Sequence, residues 1–205
     1  APCKPVVEAG DHVVRGQVIG DVEAMVSAPV HAPASGTVAE IGTTLTAAGS
    51  TVAAVVIDCD EEQDLASFAP LPAADDARAR VRAAGIVGMG GATFPSVVKL
   101  TPPKDADVQT VILNGCECEP FLTCDHRLML EQPERVVAGA AHIRDIIGAK
   151  RVIIAVESNK PDAADALRAA ARDGIEVTVL PTRYPQGAEK QLIYALLKKE
   201  VPHGK

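Results

Sequence analysis

Aromatic side chains are nearly absent: three Phe, two Tyr and no Trp in 205 residues. Proteins that hold nucleic acid neutralise phosphates with Lys and Arg, and those that grip single strands also stack bases on aromatic rings. This chain lacks both resources, because 27 acidic side chains outnumber 20 basic ones and leave a net charge of −7. No nucleic-acid partner is expected. Long apolar runs are missing too: the longest, Thr51–Ile57 and Val152–Val156, are strand-sized, whereas a bilayer helix needs about 20 residues. No basic segment followed by an apolar one marks export, and the five cysteines are an odd number, so they are read as reduced thiols. What the chain does have is 47% hydrophobic residues, enough for a packed core, and a length that fits one large or two small domains. Disorder is excluded as a whole-chain description. Because the first residue is Ala rather than Met, a fragment or a processed product is expected.

Residues 1–57 carry short Val/Ile runs broken by Gly10-Asp11, Gly16-Gln17, Gly20-Asp21, Pro29, Pro33 and Ser35-Gly36. Turn residues at this density predict the small strands of an all-β sandwich or barrel. Residues 58–74 are acidic and then rich in Pro and Ala, with no sustained period, and read as a linker. From residue 75 helices and strands alternate. Helices are predicted over Asp75–Ala84, Pro133–Gly148, Pro161–Arg172 and Gly187–Glu200, and strands over Val108–Leu113, Val152–Val156 and Ile175–Leu180. Such alternation implies parallel βαβ units, so residues 75–205 are expected to form a layered α/β domain.

Three segments carry candidate chemistry. The first is Gly85-Ile-Val-Gly88-Met-Gly90-Gly91-Ala-Thr-Phe94-Pro95, followed by Lys99. Clustered glycines let backbone N–H groups approach an anion, and Lys99 adds a mobile positive charge. It is not the dinucleotide fingerprint, because the third glycine would fall at Thr93 and the loop follows a helix; nor is it a P-loop, since no Gly-Lys-Ser/Thr ends it. A plain glycine-rich connection with a surface lysine is the alternative.

The second segment, Asn114-Gly115-Cys116-Glu117-Cys118-Glu119-Pro120, closes a predicted strand, where ligands of open α/β sheets bind. Its amide, two thiols and two carboxylates could read the hydrogen-bonding edge of a cofactor. Cys116, Cys118 and Cys124 could instead be metal ligands, but their spacing matches no usual cluster motif and a fourth ligand is lacking, so no metal is expected. Cys3 and Cys59 are read as inert. The third segment, Tyr184-Pro185-Gln186-Gly187-Ala188-Glu189-Lys190, opens the last helix, where free N–H donors and Glu189 could orient a polar ligand or simply complement the helix dipole. His142 falls within an apolar helix and reads as structural. His126 is a candidate for catalysis, but no nucleophile with an orienting partner accompanies it. The Arg78–Arg82 cluster reads as a solvated helix face.

Taken together and in this order, the segments resemble the RnfC family, the C subunit of the Rnf electron-transport complex. The carrying residues are Gly85–Pro95, then Asn114–Pro120 with Asp125–Met129, then Tyr184–Leu192. The family is similar to the NADH-binding flavoprotein subunit of respiratory complex I. The resemblance implies a Rossmann-like parallel-sheet FMN/NADH domain over 75–205, incomplete at its C-terminal end, preceded by a barrel-sandwich hybrid over 1–57. It implies that Gly88, Gly90, Gly91 and Lys99 hold the FMN phosphate and ribityl chain, that Asn114, Glu117 and Cys118 face the flavin, and that Glu119 contacts NADH. Gly187 and Glu189 would complete the far wall, and no protein group would act as catalytic acid or base. Met89 and Thr93 depart from the complex I pattern, so the site is read as Rnf-type. The implied function is NADH oxidation with electrons passed to [4Fe–4S] clusters in a following region, within a complex on the cytoplasmic face of the membrane. Cobalamin reductase, an electron-transfer partner of amino-acid reductases and a docking-only fragment are the alternatives. The segment Glu23-Ala24-Met25-Val26 also resembles the hairpin of biotinyl carriers, yet Val26 stands where the attachment lysine is required.

Overall fold

The computed structural model describes residues 2–74, 76–89, 92–172 and 174–203. Asp75 at the expected helix start, and Gly90 and Gly91 of the glycine loop, lie outside the described residues. The chain divides into two compact units, Ala1–Pro102 and Pro103–Lys205.

Among the described residues of the first unit, six strands form two antiparallel sheets. Strands β1 (Lys4–Pro5), β3 (Val18–Asp21) and β4 (Val30–His31) make one, in the order β1-β3-β4; β2 (His12–Val13), β5 (Gly36–Leu45) and β6 (Thr51–Cys59) make the other, in the order β2-β5-β6. Val7, Val13, Ile19, Ala32 and Val38 are buried between them, with Val55 and Ile57 packed against the cluster. Gly36 is required where β5 meets β6: a Cβ there would lie 2.2 Å from the Asp58 carbonyl oxygen. The all-β expectation for this region holds.

The segment after β6 is held down rather than free. Arg15 donates to the Leu65 carbonyl at 2.6 Å and accepts from the Ala69 N–H at 2.7 Å, while its guanidinium stacks 4.2 Å from the Phe68 ring centroid. Gln63 exchanges two hydrogen bonds with the Ser35 main chain.

Helix α1 (Ala77–Ala83) starts on Asp76, whose carboxylate accepts the Ala79 N–H at 2.8 Å. Its arginines are not simply solvated. Arg82 forks onto Asp21 at 2.8 and 3.3 Å and also donates to the Val22 carbonyl, and Arg78 donates to the Leu100 carbonyl at 2.8 Å. The planar guanidinium can satisfy several acceptors at once, which periodicity along a helix does not reveal. A short helix α2 (Ser96–Lys99), not expected from the sequence, follows the glycine loop.

The second unit is a three-stranded parallel sheet ordered β7-β8-β9, with β7 at Thr110–Gly115, β8 at Arg151–Glu157 and β9 at Ile175–Leu180. Helices α3 (Cys124–Glu131), α4 (Pro133–Ile147) and α5 (Pro161–Ala170) cover one face; α6 (Glu189–Leu197) covers the other. Strand β8 is buried at every residue after Arg151. Alternation then explains the layers: Val152, Ile154 and Val156 meet Val137, Ala140 and Leu167, while Ala155 meets Leu180 and Leu192 on the opposite side. Gly148, in the left-handed conformation with φ +77°, ends α4. His142 is on the exposed face of α4, not in the core, because the apolar stripe of Val137 and Ala140 points elsewhere. Among the described residues no helix is long and apolar enough to cross a membrane.

Candidate functional site

Parallel strands end at one edge of the sheet, and a cleft of about 420 Å³ opens there in the second unit. One wall is the loop after β7, with Glu117, Cys118 and Glu119; the other is the loop before α6, with Tyr184, Pro185 and Gly187. Asn114 stitches them together. Its Nδ2 donates to the Gly187 carbonyl at 2.9 Å and its Oδ1 accepts the Cys116 N–H at 3.1 Å. Gly187 must be glycine at this approach, because a Cβ would lie 2.5 Å from the Cys116 carbonyl oxygen. Cys118 Sγ is 3.4 Å from the same point.

Glu117 is buried and turned toward α3. It accepts from the Asp125 N–H at 2.9 Å, the His126 N–H at 3.2 Å and the Cys124 thiol at 3.4 Å. Burial by itself would raise its carboxyl, but those donors and the Lys160 charge outweigh it and hold the group below its ordinary value. Glu117 is thus an ionised cap on a helix that sequence periodicity does not announce; the signal lay in Asp125-His126-Arg127-Leu128-Met129, whose Met129 side chain is core.

Neither Cys116 nor Cys124 is poised as a nucleophile. Burial first, then the Glu157 and Cys118 charges, push Cys116 up to about 11. The Cys124 thiol is also raised, chiefly because it donates to Glu117. Glu117, Cys124 and Asp125 each bring one ligand-type atom within 4.8 Å of the others, but Glu117 is already committed to its three donors. His126 Nε2 is spent on a 2.9 Å hydrogen bond with the Asp162 carboxylate rather than on activating a nucleophile.

Glu119 and Glu189 are exposed, the latter opening α6, while Tyr184 and Leu122 stand exposed at the rim. In the first unit the Gly88 N–H donates to the Phe94 carbonyl at 2.8 Å, and a Cβ on Gly88 would find no described atom nearer than 3.7 Å. Lys99 is exposed at the end of α2, its Nζ 5.9 Å from the Phe94 ring centroid. So Asn114, Glu117, Cys118, Glu119, Gly187 and Glu189 share one sheet edge, and Gly88 and Lys99 belong to the other unit.

Sequence reading missed a buried polar set beneath the cleft. Glu157, Lys160 and Gln186 are 1%, 5% and 0% exposed, and Gln186 Nε2 has no partner among the described residues. The available signal was a Glu and a Lys flanking the end of an otherwise apolar strand.

Comparison with known proteins divides the chain earlier than its internal contacts do, since the flavin-domain match begins inside the first unit. Residues 81–205 match the family described as the Nuo51 FMN-binding domain, and residues 1–62 match the RnfC barrel sandwich hybrid domain. The chain is 47% identical, over its whole length, to the C subunit of the Na(+)-translocating ferredoxin:NAD(+) oxidoreductase complex of Acetobacterium woodii, covering 48% of that protein. It is 44% identical to the C subunit of the proton-translocating ferredoxin:NAD(+) oxidoreductase complex of Clostridium ljungdahlii, again over its whole length and 46% of the relative. A solved NAD+-reducing [NiFe]-hydrogenase aligns with 52% of this chain and 20% of its own at 28% identity and a TM-score of 0.48. The chain spans about half the length of the curated relatives it matches. With an RnfC-type β module ahead of a flavin-domain match that takes in most of its residues, the chain belongs to the Nuo51 FMN-binding domain family, in its RnfC form.

Proposed function

We propose that this chain is the FMN-binding, NAD(H)-reactive module of an RnfC-type electron-transfer subunit. The observation that carries the reading is the stitched cleft: two polar loops at the carboxyl edge of a parallel sheet, joined through Asn114, in a chain that matches an FMN-binding domain. The residues present fit such a group. Gly88 leaves open space where a side chain would stand, Gly187 admits close main-chain approach, and Gln186 Nε2 is a buried donor without a protein acceptor among the described residues.

In this reading Gly88, Gly90, Gly91 and Lys99 hold the phosphate and ribityl chain, the lysine by charge and Gly88 through the space its missing side chain leaves. Asn114, Glu117 and Cys118 form the flavin wall, with Asn114 and Glu117 acting through the main chain they hold in place. Glu119, exposed at the rim, meets NADH, and Gly187 and Glu189 close the far side. When bound, FMN supplies the exchange between a two-electron hydride donor and one-electron carriers. The protein then needs no general acid or base of its own.

The β module over 1–57, the joining segment 58–74 and the flavin domain over 75–205 are the working parts. The electron-accepting [4Fe–4S] clusters belong to a region beyond this chain, and the partners are other subunits of an ion-translocating complex at the cytoplasmic face of the membrane. The test is titration of the intact subunit with FMN, followed by flavin fluorescence, and then addition of NADH under anaerobic conditions with the flavin absorption band monitored. Stoichiometric quenching and bleaching by NADH are expected. A subunit that neither retains FMN nor bleaches overturns the proposal.

A further inference from the structure

A charged pair under the cleft is left unused by the flavin reading. Glu157 closes β8 and Lys160 precedes α5; their side chains are 1% and 6% exposed and their charged atoms lie 3.3 Å apart. Taking two such charges out of water costs several kcal/mol per ion, and apolar residues of equal volume serve stability as well or better. The hydrogen bonds give the pair its meaning. Lys160 Nζ has three N–H groups and three acceptors: Glu157 Oε2 at 3.3 Å, Asn159 Oδ1 at 3.2 Å and the Glu117 main-chain carbonyl at 3.2 Å. Glu157 uses its second oxygen to accept the Arg183 main-chain N–H at 3.3 Å. Arg183 then donates from Nε to Gln186 Oε1 at 2.8 Å. One end of the pair grips the loop after β7 and the other grips the loop before α6.

We propose that Glu157 and Lys160 are the positioning residues of the flavin cleft, a buried ionic strut that sets the separation of its two walls. The inference rests on the flavin reading for the identity of the ligand, but not for the strut itself. Neither residue lines the cleft, so each acts through main chain: Lys160 through the Glu117 carbonyl, Glu157 through the Arg183 amide. Asn114 fixes the walls at one point, and two points of attachment fix a separation where one would leave a hinge.

The test compares the intact subunit with the double variant Glu157→Gln/Lys160→Met, which keeps volume and removes both charges and the donors to Glu117. Its FMN-free form is expected to melt within about 3 °C of the parent, since neutralising a buried pair as a pair costs little. FMN affinity should fall about tenfold or more, as when groups behind a binding site are removed, and the visible circular-dichroism band of bound flavin should change. Amide exchange at Asp125, His126 and Arg183 should quicken in the FMN-free protein. Unchanged affinity, flavin band and exchange, with or without a lower melting temperature, make the pair structural and overturn the proposal. Should the parent bind no FMN, the flavin reading falls alone: faster exchange confined to the two loops still supports the strut, and unchanged exchange still overturns it.

Discussion

Between Ile86 and Ser96 the first unit shapes its loop with main chain. The Gly88 N–H meets the Phe94 carbonyl, the Ser96 N–H meets the Ile86 carbonyl, and Met89 stands 92% exposed. Between Asn114 and Glu119 the second unit does the reverse: one amide and one carboxylate hold the loop, and a buried ion pair backs it. The two arrangements differ in what they would offer the proposed ligand. A phosphate carries charge and can be met from several sides. In the first unit the exposed Lys99 supplies the opposite charge beside a loop whose Gly88 and Ser96 N–H groups are already paired. A flat heterocycle with fixed donors and acceptors needs groups that do not move, and buried side-chain networks supply that rigidity.

Substitutions sharpen this contrast. The largest effect belongs to Gly187→Ala, whose Cβ would lie 2.5 Å from the Cys116 carbonyl oxygen. The contact is with backbone, so the loops must part; a loss of about 3 kcal/mol in chemical denaturation, with failure to retain FMN, is expected. An unchanged denaturation midpoint would show that the loops are not locked. Glu117→Gln comes next, at about 2 kcal/mol, because it replaces a carboxylate accepting two main-chain N–H groups and a thiol.

The same variant tests a pH effect. The Glu117 carboxyl is lowered in the folded protein from its ordinary value of 4.5. Its contribution is therefore complete above that value and is lost as pH falls through the lower folded value. Melting temperatures of parent and variant should differ most above about pH 5 and converge in stronger acid; a constant gap contradicts the assignment. Asn114→Ala removes two bonds at a largely exposed position and should cost about 1 kcal/mol, with a larger relative loss of flavin affinity. Smallest for the fold is Gly88→Ala. Its Cβ meets no described atom nearer than 3.7 Å, so stability should change by less than about 0.5 kcal/mol while FMN binding weakens. Loss of stability with flavin binding intact reverses the roles assigned to the two loops.

Much of this was legible along the chain. Val152–Val156 is apolar without alternation, as a strand covered on both faces must be, and it became the central strand β8. Pro161 opens α5, Gly148 ends α4, and the motif residues Asn114 and Gly187 lie together. The misses share a cause. Helix α3 carries its large apolar residues consecutively, at Leu128-Met129-Leu130, and has a start set by Glu117, seven residues upstream of Cys124, so no local period announces it. Arg82 and His142 were assigned by helix position, yet the first finds Asp21, 61 residues away, and the second lies on an exposed face of its helix.

What the sequence determined by itself is local: period, turn, cap and the order of three motifs, because each depends on residues within a few positions of one another. How the polar groups are spent is settled by contacts that form when distant segments pack. Whether Glu117 caps a helix and whether Lys160 reaches back to the Glu117 carbonyl depend on partners up to 43 residues apart, and only the fold leaves the Gln186 Nε2 donor without a partner among the described residues. A buried charge must find a partner wherever the fold brings one, and the fold is what the linear order leaves unstated.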